Sequence, residues 1–80
     1  MELSPQNILQ FKIKEAYEEW VEVAKEEIDN DYGDAMQSME RAEATGYLNG
    51  LEVAYTLIFG EVYEYLQNFD PNTYNEEVNG

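Results

Sequence analysis

The sequence predicts an all-α protein: an antiparallel helical hairpin, completed by homodimerisation into a four-helix arrangement. Three observations lead there. Apolar residues recur at the helical period of roughly 100° per residue over most of residues 4–69. Only residues 30–33 break that pattern, and so short a connection makes the flanking helices antiparallel neighbours. The second periodic segment is apolar on two sides. A chain of 80 residues buries only about 60% of its unfolded surface by itself, so one of those sides is left for a partner. A second copy is the simplest cover, because most soluble oligomers are symmetric homo-oligomers.

The first helix is expected over about 4–29. Ser4 is its N-cap and Pro5 its first helical residue, where the missing N–H costs nothing. Leu3 and Ile8 have the spacing of a hydrophobic staple. Leu9, Ile13, Ala16, Tyr17, Trp20, Val21, Val23, Ala24 and Ile28 share one face. Glu15, Glu18, Glu19, Glu22, Glu26 and Asp29 crowd the opposite face, bordered by Lys12, Lys14 and Lys25. Like charges three and four residues apart weaken a helix by a few tenths of a kcal/mol per pair, so packing of the apolar face has to hold this one.

The second helix is expected over about 34–69, opened by a capping box of Asp34 and Gln37. Its wide arc is Ala44, Tyr47, Leu48, Leu51, Ala54, Tyr55, Ile58, Phe59, Val62, Tyr65, Leu66 and Phe69, with Tyr63 pointing away and exposed. A second stripe runs through Ala35, Met39, Ala42, Gly46, Gly50, Val53, Leu57 and Gly60 at nearly heptad steps. Each interior glycine costs a helix about 1 kcal/mol relative to alanine. Close approach of another backbone along Met39, Ala42, Gly46, Gly50, Val53 and Leu57 accounts for that cost; a kink at 46–50 is the alternative. Asp70-Pro71 ends the helix, since proline disfavours the α region in its predecessor. The polar tail, 70–80, is expected to fray, with at most a helical turn. The chain is read as one helical domain, 1–80.

Composition narrows the function. There is no cysteine and no histidine, so disulfides, Cys/His zinc sites and the Glu-x-x-His pairs of bundle metal sites are excluded. Asp29, Asp31 and Glu40 fall at places one, three and twelve of a calcium loop, but glycine stands at place five instead of six. An acidic helix cap is the better reading. No glycine-rich phosphate loop, catalytic constellation or cofactor motif is present, so neither an enzyme nor a cofactor is expected. No apolar run of about 18 residues and no signal pattern at the N-terminus point elsewhere than the cytoplasm.

Charge dominates what remains. Eighteen acids against four bases leave a net charge of −14, and beyond Arg41 there are seven acids and no base. Such a chain repels nucleic acid and anionic membranes and favours basic protein surfaces. The strip from Glu15 to Asp29 covers about 21 Å of helix. Its six carboxylates stand roughly 4 Å apart along the axis, near the 3.4 Å per charge of one DNA strand. Phe11 lies on the same side, suited to anchoring a polar contact. The alternative for the strip is a solvated face kept for solubility. In size, charge, lack of Cys and His, and this strip, the chain resembles the small acidic helical inhibitors of phages and mobile elements, including DNA-mimicking anti-restriction and anti-CRISPR proteins. That resemblance implies an inhibitor acting in the host cytoplasm on the basic groove of a nucleic-acid-binding protein or defence nuclease. The competing expectation is a structural or adaptor homodimer with a solubilising acidic surface.

Overall fold

The computed structural model describes residues 3–30 and 35–80. Three helices, α1 (Pro5–Asp29), α2 (Ala35–Phe59) and α3 (Pro71–Asn79), make an all-α protein, with no strand among the described residues. α1 begins where its cap places it: the Ser4 hydroxyl accepts from the Asn7 amide at 3.1 Å, and Pro5 opens the helix. Leu3 and Ile8, the pair spaced for a staple, both remain exposed. At the other end the Asn30 side-chain amide donates to the Glu26 carbonyl and to Gln37 Oε1, each at 3.0 Å, and so bridges the two helices. The expected capping box at Asp34, the turn at 31–33 and the Asp31 position of the calcium register lie outside the described residues.

α1 and α2 pack antiparallel. Gln6 and Gln10 donate to the Tyr55 hydroxyl at 2.7 and 2.9 Å, Trp20 Nε1 donates to Thr45 Oγ1 at 2.8 Å, and Arg41 meets Glu27 at 3.0 Å. Ile13, Ala16, Tyr17, Ala24 and Ile28 of α1 are buried with Leu48 and Tyr55 of α2. Burying each isoleucine contributes roughly 1.5–3 kcal/mol, and the alanines let the helices approach.

The helix expected over 34–69 stops at Phe59, ten residues short of the expectation. Gly60 adopts φ 73°, and its amide donates to the Thr56 carbonyl at 2.9 Å. This is a left-handed cap that glycine takes without the Cβ penalty. Gly60 is therefore a helix terminator and not part of an interior stripe, and Val62, Tyr65, Leu66 and Phe69 do not continue the helical arc. Gly46 and Gly50, by contrast, sit within one unbroken helix, so the break considered at 46–50 is absent.

After Gly60 the chain runs back beside α1 as a strap, residues 61–70, with exposure alternating: Tyr63 and Tyr65 are half-buried while Val62, Glu64 and Leu66 face outward. Tyr63, expected to be exposed, instead packs on Tyr55 and Tyr65, with ring centroids 5.3 and 5.4 Å apart. The strap takes the place of a third helix. Its rings complete an unbroken chain of aromatic contacts: Phe59, Tyr55, Tyr63, Tyr65, Tyr17, Trp20, Phe69, Tyr74. Such pairs stabilise by about 0.5–1.5 kcal/mol each beyond their buried area.

The tail is a second departure. α3 is a nine-residue helix. Asp70 accepts from the Asn72 amide at 3.0 Å and the Thr73 hydroxyl at 2.9 Å, with Pro71 next in line, so the pair read as a terminator is also a start. α3 docks on the end of α1: the Tyr74 hydroxyl donates to Asp29 at 2.8 Å and Asn79 Nδ2 to the Ile28 carbonyl at 2.9 Å. No helix among the described residues is long and apolar enough to cross a membrane.

Candidate protein-binding surface

Because Ile13, Tyr17, Ala24 and Ile28 turn inward, the opposite side of α1 is fixed as an outward ridge. Its acidic body is Glu15, Glu18, Glu19, Glu22, Glu26 and Asp29, all exposed. The structure adds an apolar head to it: Ile8 and Phe11 continue the same ridge toward the N-terminus, and Phe11 is 61% exposed.

Three of the four cations are engaged away from the ridge, and the fourth, Lys12, lines a groove with Glu15 and Glu19 at its N-terminal end. Lys25 Nζ lies 5.8 Å from the Phe69 ring centroid and 5.6 Å from that of Tyr74, and Lys14 Nζ lies 6.0 Å from that of Tyr63. These distances suit cation–π attraction. Arg41 is held by Glu27, a buried carboxylate that is not part of the ridge, in the one ion pair among the described residues. Among the described residues, no side chain donates a hydrogen bond to five of the six ridge carboxylates. The exception is Asp29, which takes the Tyr74 hydroxyl. That bond, with some desolvation and the Asp29 charge, raises the Tyr74 pKa.

Grooves of about 290 Å³ flank the ridge on both sides, and two of them define its edges. One separates α1 from α2 and is lined by Glu19, Val23, Glu40, Glu43, Ala44 and Tyr47. The other separates α1 from the strap and includes Tyr17, Glu18, Tyr65 and Leu66. Glu40 and Glu43 therefore widen the acidic surface onto α2, which the single-helix reading missed. The antiparallel register held the signal, since residue 20 lies level with residue 45. Among the described residues no group of acidic side chains is arranged to hold a metal ion.

No protein family, curated protein or solved structure matches the chain. The surface has to be read from its own chemistry: a band of exposed carboxylates on a helix held by a packed core, with an exposed phenylalanine at one end. Such a surface is suited to pairing with lysine and arginine side chains along a basic groove.

The other set singled out from the sequence lies on α2. Ala42, Gly46 and Gly50 are exposed, as are Met39 at 64%, Val53 at 57% and Leu57 at 80%. They face away from Leu48 and Tyr55, so no described residue packs over the two glycines: a Cβ built at Gly46 or Gly50 meets none of their atoms within 4 Å.

Proposed function

We propose that this protein is an acidic inhibitor that occupies the basic groove of a nucleic-acid-binding protein or defence nuclease, in the manner of DNA-mimic or anti-CRISPR proteins. The observation that supports it most is the excess of charge on the ridge, where one base, Lys12, stands beside six exposed carboxylates. Glu15, Glu18, Glu19, Glu22 and Glu26 stand exposed in a line while Lys14 and Lys25 lie against aromatic rings and Arg41 pairs with Glu27. A face kept only for solubility has no need of such a line, nor of Phe11 exposed at its head. The partner is a basic protein surface; nucleic acid itself is repelled.

The test is the triple reversal Glu18→Lys, Glu22→Lys and Glu26→Lys. It touches no buried residue and relieves repulsion along the ridge, so circular dichroism should stay unchanged or strengthen. Inhibition of DNA cleavage by sensitive nucleases should be lost. For the unaltered protein it should weaken with added salt, because exposed charge pairs are screened over about 8 Å at physiological ionic strength. Phe11→Ala should weaken inhibition with little change in that salt dependence, since its contribution is burial. If the reversed protein inhibits as well as the original, the ridge is a solubility face. The exposed α2 stripe would then favour the second reading, an adaptor homodimer.

A further inference from the structure

We propose that the outward face of α2 is covered by the same face of a second copy, paired antiparallel about a two-fold axis at the level of Leu48. This does not rest on the acidic ridge having a partner. It rests on three properties of the face.

The first is order. Counting outward from residue 48, positions 46 and 50 are both glycine, 42 and 54 both alanine, and 39 and 57 the long apolar Met39 and Leu57. Apart from Val53, whose mirror position holds Glu43, the pattern is smallest in the middle and reads the same in both directions. Two helices that cross are closest at the crossing and diverge from it, so glycines at the centre and long side chains at the ends match that shape. A two-fold axis brings each position against its mirror: Gly46 beside the partner's Gly50, Met39 beside the partner's Leu57. The crossing also falls near the midpoint of α2, Ala35–Phe59.

The second is charge. Of the 18 acids, only Glu43 lies on this face, level with the partner's Val53; Glu40 and Glu52 lie a quarter turn or more from its centre. An antiparallel pair sets the two Glu43 side chains about 15 Å apart along the axis, beyond the Debye length of about 8 Å. A parallel pair would set them side by side. The face is thus the part of this acidic molecule best able to meet itself.

The third is area. The chain exposes 5737 Å², whereas a folded monomer of this mass exposes about 5,000 Å². That excess includes this face, where Met39, Val53 and Leu57 stand 64%, 57% and 80% exposed. Pairing through α2 leaves α1 uncovered, so a dimer displays two acidic ridges.

The experiment is sedimentation equilibrium of the full chain together with cross-linking. The wild type should be dimeric at high micromolar concentration. Gly50→Leu should raise the dissociation constant by about tenfold or more. In a lone chain the same leucine meets open space and is a better helix former than glycine, so a higher melting temperature with unchanged sedimentation would overturn the proposal. For orientation, Met39→Cys and Leu57→Cys variants are made separately in a chain that has no other cysteine. A short bis-maleimide should link them only when they are mixed, because equal positions stand roughly 27 Å apart in the antiparallel pair. Linkage within Met39→Cys alone, or a wild type that stays monomeric, refutes the pairing.

Discussion

Tyr65 illustrates how one side chain is made to serve two surroundings. Its ring packs against Tyr17 and Tyr63, while its hydroxyl lies 3.4 Å from Glu52 Oε2. Burial first, and then the Glu52 charge, push its pKa from 10.0 up to about 12. A phenol whose folded pKa lies above its unfolded value stabilises the fold below the unfolded value. That contribution is lost as pH rises from 10 toward 12. Stability measured by urea unfolding should therefore fall across this window, and Tyr65→Phe should flatten the fall. A spectrophotometric titration should find Tyr65 among the last tyrosines to ionise. Glu27 and Arg41 show the opposite economy: the one buried carboxylate among the described residues takes the last base in the sequence, which leaves the rest of the acidic surface without it.

At the scale of elements, the legible parts of the fold were those with chemical punctuation. Ser4-Pro5 marks the start of α1, and the inward face of α1 reads directly as Ile13, Tyr17, Ala24 and Ile28. The illegible part begins at Gly60. Over nine residues a period of 3.6 and a period of two both find matches in EVYEYLQNF, and periodicity alone cannot arbitrate so short a run. The left-handed glycine decides it, because it turns the chain out of the helix before the pattern resumes. Asp70-Pro71 failed for a related reason: an acidic cap followed by proline stops one helix and starts another by the same stereochemistry. Gly60→Ala tests this directly. Nothing crowds a Cβ there, so the cost is conformational, about 1 kcal/mol after allowing for the stiffer unfolded chain, and denaturant titration should show it. The ridge of α1 was legible because all its members lie on one helix. Glu40 and Glu43 were not, because they join it only through the packing of α2 on α1.

At the scale of the whole molecule, the protein is long for its mass. It measures 44 × 23 × 22 Å with a radius of gyration of 14.7 Å, against about 12 Å for a compact domain of this length. The reason is that the strap lies along the hairpin and adds rings to its core without adding a third helix to its girth. That arrangement separates two properties usually found together. Rings of the strap are locked into the core, yet among the described residues no amide from 61 to 68 donates to any carbonyl; Phe69, at its end, donates to the Tyr17 hydroxyl at 3.1 Å. In deuterium exchange the strap should therefore label almost at the rate of an unfolded peptide, while α1 and α2 stay protected to the limit set by global opening. Its ring signals, observed in the same sample, should remain dispersed and immobile. A segment that looks molten to a solvent probe and frozen to a side-chain probe is what results when a chain is held by its side chains and not by its backbone.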